Sequence, residues 1–383
     1  MDKKGKFNIL HIDGFKNFGG AQTDIVVLLK FIKLYHGEKF NIYVIHNGNK
    51  RLKRELDMYG IPEFSVKMRN FADVAAVIKI RRFLKKRDID LINFHSPLDH
   101  FLGGIAAISI FKKKIIKVLT RHVAYKIDFL KGFLIYLFLT DKFIAISDFI
   151  KKSLIKNMKI NPKNIQTIYS PRIYSEAGGL NGEEFYREDI EKVKSGLGIG
   201  PGEKMVSLIG RLSKEKGHEV LINAAELIIR ERSGIKFVII GEGGLYDYIA
   251  DLINKKGLKK YFIITGFKND IKKYIAASDL IIVPSGLEGM GSIIIEACAL
   301  KKAVIASDTG GIPEIIKNNE TGLLFKNGDY EQLAGKIIAL ITKADLIEKL
   351  GLNCYNKVVK NFDACKIASE TALFYMDSLK DPE

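Results

Sequence analysis

The chain has 383 residues, 47% of them hydrophobic and 27% charged, a balance that places it among globular proteins and gives enough length for two domains with separate cores. Its net charge of +17 is uneven: residues 1–178 carry 33 Lys+Arg against 15 Asp+Glu, and residues 179–383 carry 28 against 29. All the excess is therefore N-terminal, as expected either for an anionic partner of that half (a membrane surface, nucleic acid or a phosphorylated acceptor) or for a lysine-rich, solubilised surface.

In chain order, "MDKKGKFNILHID" runs directly into an apolar segment, with no secretory signal ahead of it, and a cytoplasmic location is expected. Strands are expected at 7–12, 40–46, 90–95, 115–122 and 142–147, and again at 204–210, 236–241, 261–266, 279–284 and 302–307. Each is short, apolar and β-branched, and each is followed by a helical period, the pattern of parallel sheets covered on both faces. Two such series predict an α/β chain of two doubly wound domains. The boundaries fall at 1–178 and 201–361. The polar, glycine-rich stretch between them, with 179–200 at its centre, reads as a linker region holding one short helix. The apolar run "FLKGFLIYLFL" at 129–139 is too short to span a bilayer and contains Lys131. Cys298, Cys354 and Cys365 are far apart in sequence; they suggest neither a metal site nor a disulfide framework, and a reducing compartment is expected.

Ligands of doubly wound sheets bind beyond the carboxyl ends of the strands. After 204–210 comes "GRLSKEKG", where Gly210 permits a tight turn and Arg211 and Lys216 place two cations beside a helix start, a suitable diphosphate site. After 236–241 comes "GEGGLYDYI" with Gly241, Gly243 and Gly244, which is not the dinucleotide fingerprint. After 279–284 comes "GLEGMGSIIIEACAL". Glu288 lies in its loop, Gly289 and Gly291 flank the helix start, and Glu296 lies about a turn and a half inside. A carboxylate accepts two bonds from a vicinal diol, so one carboxylate suits a ribose and the other a sugar. Asp88 and Asp90 in "RDIDLI" read as a helix-to-strand turn rather than a metal motif. His95 and His100 lack a partner at ligand spacing; His95 is open between an acceptor-side role and a loop hydrogen bond. His11, His36, His46 and His218 are assigned no function. "IKIRRFLKKR" at 78–87 is either a basic amphipathic helix on an anionic bilayer or an outer helix with a solvated face.

The segment "PSGLEGMGSIIIEACALKKAVIASDTGGIPEII" resembles the E-x7-E block of retaining glycosyltransferases of the GT-B fold, family four, with "GRLSKEKG", "GEG" and "TGF" in the family's order. "FGGAQTDIVVLLKFI", "INFHSP" and "FIAISDFIKKSLI" resemble its N-terminal segments. The resemblance implies two Rossmann-like domains facing across a cleft, with the last helix, 362–383, packing back on the first. It implies a nucleotide diphosphate sugar donor, a UDP-sugar above others, and a carbohydrate or glycolipid acceptor of the bacterial envelope. It implies transfer with retention, with neither cofactor nor metal, because Arg211 and Lys216 neutralise the leaving diphosphate. Glu296 would hold the ribose; Glu288, Gly289 and the Met290, Gly291 and Ser292 backbone would hold the sugar. Gly19 and Gly20 would close over the phosphates, with Gly210 and Gly243 nearby. Backbone around Gly266 and Phe267 would meet the base, and His122 would face the reacting sugar. Met290, Ser292 and Ile293 depart from the family's usual residues, as does "YSPRIY" before the linker. Peripheral contact with an anionic membrane is expected through the basic N-terminal domain, and nucleic acid is not an expected partner. The alternatives are an epimerase- or phosphorylase-like enzyme on the same fold, and a nucleic-acid-binding protein, for which no recognition motif is present.

Overall fold

The computed structural model describes residues 5–111, 113–123, 138–173 and 187–380. They form two compact units, Met1–Arg172 with Phe362–Glu383, and Ile173–Asn361.

The first unit is built on a seven-stranded parallel sheet: β1 Phe7–Asp13, β2 Phe40–His46, β3 Glu63–Ser65, β4 Leu91–Phe94, β5 Ile116–Arg121, β6 Lys142–Ala145 and β7 Ile165–Thr167. Its spatial order is β3-β2-β1-β4-β5-β6-β7. The order reverses between β1 and β4, where Ile9 pairs with Leu91 and His11 with Asn93. Ile9, Leu10, Val44, Leu91, Ile92 and Val118 are all buried, because helices cover both faces of strands rich in Ile, Leu and Val. The terminal helix Ala364–Lys380 packs on the first helix, Gly20–His36, and buries Tyr375.

The second unit repeats the pattern with six strands: β8 Lys204–Ile209, β9 Ile235–Ile240, β10 Phe262–Ile264, β11 Leu280–Val283, β12 Val304–Ser307 and β13 Leu323–Phe325, in the order β10-β9-β8-β11-β12-β13. Its core joins Phe237, Ile239, Leu221, Ile282, Ile305 and Leu333. The order reverses between β8 and β11, so the loops after those strands flank the natural crevice.

Each of the ten expected strands is found. β3, β7 and β13, of three residues each, were not expected. The helix Arg187–Gly196, expected within the linker, belongs to the second unit. It packs on the helix Ile271–Ala277, and Lys194 Nζ reaches Asp279 Oδ2 at 2.8 Å.

The reading of the cysteines is corrected. Cys298 and Cys354 form a disulfide with Cα atoms 5.3 Å apart, because the fold packs the helix Ser292–Ala299 against the helix Ala344–Asn361. Asp88 and Asp90 bind Lys113, at 2.6 and 2.8 Å, and Asp90 also accepts the Asn8 N–H, which fits the turn reading. On the basic helix Val74–Lys86, Ile80 and Leu84 are buried in the unit's own core, leaving Val74 and Ile78 exposed beside Phe71. Among the described residues no helix is long and apolar enough to cross a membrane; most of the run 129–139 lies outside them.

Candidate active site

In the second unit three loops meet at the carboxyl ends of β8, β11 and β12. Gly217 ends the turn after β8 with φ +70°, and a Cβ there would stand 1.9 Å from the Pro284 carbonyl oxygen, so glycine lets this turn close on the end of β11. Gly286 N donates to Glu215 O at 2.8 Å, fixing the two loops in register. The result is delivery of Lys216 to Glu288: Lys216 Nζ donates to Glu288 Oε1, which also accepts from Ser285 Oγ at 3.0 Å. The stem of Lys216 lies over Gly210, leaving 3.5 Å between its Cδ and the place of the absent Cβ.

The third loop holds the second. Ser307 Oγ donates to Ser285 O at 2.5 Å, Thr309 Oγ1 to Gly286 O at 3.2 Å and Gly311 N to Glu288 O at 3.1 Å. A Cβ on Gly311 would fall 2.3 Å from Gly289 O. Sequence reasoning passed over "SDTGG", whose paired glycines are the signal of this backbone-on-backbone contact.

Gly291, at φ +86°, opens the helix Ser292–Ala299. Glu296 is half-buried between the fully buried Ile295 and Ala297. Met290 is 3% exposed, so its side chain belongs to the core and only its backbone is available to a ligand. Arg211 is exposed, and its guanidinium has no hydrogen-bond partner among the described residues. One cation is thus committed to a carboxylate and the other is open, beside the N-termini of two helices, His218–Glu231 and Ser292–Ala299. Such an arrangement has the charge and dipoles suited to an anion. At Gly241 and Gly243, added Cβ atoms would collide with Gly210 O at 1.9 Å and Leu212 O at 2.4 Å. Their bareness serves the packing of loop on loop. Gly266 O accepts from Gly241 N at 3.1 Å, and Phe267 beside it is 52% exposed.

The first unit gathers Gly19, Gly20, His95 and His122 at the carboxyl ends of β1, β4 and β5. Gln22 ties the glycine loop down: its Oε1 accepts Gly19 N at 2.9 Å, and its Nε2 donates to both Asp13 oxygens at 3.1 Å. Arg172 Nη2 donates to Gly20 O at 2.9 Å and lies 2.7 Å from Asp24 Oδ1. Asp99 accepts Gly14 N at 2.7 Å and His95 N at 3.1 Å. Burial pushes the carboxyl of Asp13 up to about 7 and that of Asp99 up to about 8.

His95 makes two ring contacts: its Nε2 is 2.9 Å from His11 Nδ1, and its Nδ1 is 3.1 Å from His122 Nε2. His11, given no function from sequence, is therefore part of this cluster, as is Tyr375, whose Oη lies 3.3 Å from His11 Nε2. Their sequence separations of 84 and 364 residues left no local signal. Burial lowers His11 to about 3 and His122 to about 4, the latter helped by Arg172 and Arg121. His122 is therefore neutral at pH 7 and suited to hydrogen bonding, not to carrying a proton. His100, by contrast, is a buried structural residue bonded to Thr140 Oγ1 at 2.7 Å.

Comparison with known proteins follows the two units. Residues 189–357 match the family described as Glycosyl transferases group 1, and residues 26–171 match Glycosyltransferase Family 4. The chain is 26% identical over 395 residues to the UDP-Gal:alpha-D-GlcNAc-diphosphoundecaprenol alpha-1,3-galactosyltransferase of Escherichia coli, covering 97% of each. It is 23% identical over 384 residues to the capsular polysaccharide biosynthesis glycosyltransferase CapM of Staphylococcus aureus, covering 94% of this chain and 97% of that one. Among solved structures, a glycosyltransferase from Rickettsia africae superposes with a TM-score of 0.85 at 24% identity, covering 99% of this chain and all of that one. Anabaena HepE in complex with UDP and glucose superposes with 0.84 at 22% identity, covering 97% and 100%. These likenesses establish the GT-B fold.

Proposed function

The chain belongs to the family four glycosyltransferases of the GT-B fold, and from that premise we propose that it moves a sugar from a UDP-sugar to a carbohydrate or lipid-linked acceptor of the envelope, with retention and without a metal ion. The observation that carries this reading is the junction of Lys216, Glu288 and the Gly291-capped helix bearing Glu296, with Arg211 open beside it. Departure of a nucleoside diphosphate builds negative charge on the β-phosphate, and two cations at a pair of helix N-termini stabilise that charge in place of a metal. Glu288 Oε1 is occupied by Lys216 and Ser285, so its other oxygen is the acceptor for sugar hydroxyls. Glu296 takes the ribose diol.

In the proposed step the acceptor oxygen bonds to the anomeric carbon from the face the diphosphate leaves. The bond from that carbon to the phosphate oxygen breaks, and the acceptor proton passes to the departing phosphate. The neutral His122 faces the reacting sugar as a fixed ring and does not exchange its proton. The UDP donor and the diphospholipid acceptor are drawn from the relatives' activities. Retention is tested by nuclear magnetic resonance of the product made from an α-linked UDP-sugar on a diphosphoundecaprenol-linked sugar in EDTA. An α-linked product is expected; a β-linked product, or activity abolished by EDTA, would contradict the reading. An epimerase would instead change the donor without any acceptor, and a phosphorylase would pass a glycosyl group to inorganic phosphate.

Peripheral membrane contact at the inner face of the cell membrane is supported by exposed Phe71, Val74 and Ile78 beside exposed Lys79, Arg82 and Lys86. Co-sedimentation with anionic vesicles, weakened by Ile78→Asp with Lys79→Glu, is the expected result. Equal sedimentation of variant and wild type would count against this face.

A further inference from the structure

Three adjacent strands, β1, β4 and β5, each present one histidine at their carboxyl ends. The rings of His11 and His95 stack with centroids 5.2 Å apart, and His122 lies 5.5 Å beyond His95. The row is capped by hydrogen bonds at one end and faces a carboxylate at the other. At one end, Asn93 Nδ2 donates to Tyr375 Oη at 2.6 Å while Thr120 Oγ1 donates to Asn93 Oδ1 at 2.9 Å, so the Tyr375 hydroxyl proton is directed to His11 Nε2. At the other, His122 Nδ1 faces Asp24 Oδ2 at 4.0 Å, and a carboxylate held by Arg172 only accepts.

A neutral imidazole has one N–H and one lone pair, so the direction of one bond fixes the rest. The Tyr375 end sets the direction, and the Asp24 carboxylate beyond His122 favours the same one. Tyr375 donates to His11 Nε2, His11 Nδ1 donates to His95 Nε2, and His95 Nδ1 donates to His122 Nε2. The opposite direction would leave a bare Nδ1 lone pair of His122 facing a carboxylate. Burial keeps all three rings neutral, so the row is not scrambled at neutral pH.

We propose that His11 and His95 are positioning residues that hold His122 in the Nδ1–H tautomer, turning its Nε2 toward His95 and its one N–H toward the buried Asp24 carboxylate, and so fix the orientation of the ring. This rests on the reading of His122 given above. It opposes the ordinary preference of a neutral imidazole for Nε2–H, which makes it measurable. Asparagine places an N–H close to the Nδ1 position of histidine, so His95→Asn keeps the bond to His122 and His95→Leu removes it.

The test is long-range nitrogen–proton correlation on the full chain with nitrogen-15-labelled histidine at pH 7, assigned by single-histidine variants and followed by steady-state kinetics. The expected spectrum shows His122 as Nδ1–H in wild type and in His95→Asn, and a switch toward Nε2–H in His95→Leu. Turnover number should fall by about tenfold in His95→Leu, with donor KM unchanged, and recover in His95→Asn. Nε2–H in wild type, an unchanged tautomer in His95→Leu, or a tautomer switch with undiminished turnover would each overturn the inference. The tautomer is read without turnover. A wild type that shows the Nδ1–H pattern but transfers no sugar therefore counts against the proposed function and not against the tautomer assignment.

Discussion

Lys216 joins the two halves of the donor chemistry in one side chain. It pairs with Glu288, and in the proposed reaction it would share its charge with the donor's diphosphate. Replacing it with alanine removes the transition-state cation and leaves Glu288, 12% exposed, without its ion-pair partner. Loss of one preorganised electrostatic contact of this kind costs about 10²–10³ in kcat, while the orphaned carboxylate costs on the order of 1–3 kcal/mol of stability. Lys216→Ala is thus expected to lose activity far beyond its drop in Tm, and the double variant Lys216→Ala, Glu288→Gln to regain stability without activity. Recovery of activity in the double variant would show that neither the Lys216 cation nor the Glu288 carboxylate takes part in transfer. Arg211 and Lys216 were legible in sequence because a glycine turn after a strand announces them. His11 was not, since only the β1–β4 register brings it to His95.

At the scale of elements, the helix Ser292–Ala299 carries Glu296 on one side and Cys298 in the core. The Cys298–Cys354 bond ties that helix to Ala344–Asn361 across a separation of 56 residues. Loop-closure entropy for such a span is worth about 4 kcal/mol, so Cys354→Ser should lower Tm clearly in thermal unfolding. Thiol titration of the denatured, unreduced protein should find Cys365 alone. Three reactive thiols would contradict the bridge. The sequence read the strands well because Ile, Val and Phe crowd each one. It read neither this bridge nor the contact of Gly311 on Gly289, because both depend on how loops and helices far apart in sequence pack. Gly241 and Gly243 likewise make room for a neighbouring backbone, which no local pattern announces.

At the scale of the whole molecule, burial has set two groups of titrating side chains against each other. His11 is lowered to about 3 and His100, His122 and His218 to about 4, with His95 lowered as well. The unfolded chain binds more protons at these sites, so stability is lost as pH falls from the ordinary 6.5 toward 4. Asp13 and Asp99 are raised to about 7 and about 8 from an ordinary 3.8. Their contribution is full at low pH and is lost as pH rises through those values. Five histidines outweigh two carboxylates below 6.5, and the carboxylates act alone above it. Tm is therefore expected to rise from pH 4 to about 6.5 and to fall between 6.5 and 8; a Tm that keeps rising to pH 8 would contradict the assignment of neutral Asp13 and Asp99. The fold class and both units were legible from alternating strand and helix periods, and the family from the E-x7-E block. The donor site is the central claim, and thermal shift against UDP-, GDP-, ADP-, TDP- and CMP-sugars tests it most directly, with wild type beside Glu296→Ala and Lys216→Ala. Stabilisation of the wild type by a UDP-sugar, absent in both variants, is the predicted result. No shift with any nucleotide sugar, or an equal shift in all three proteins, would contradict it.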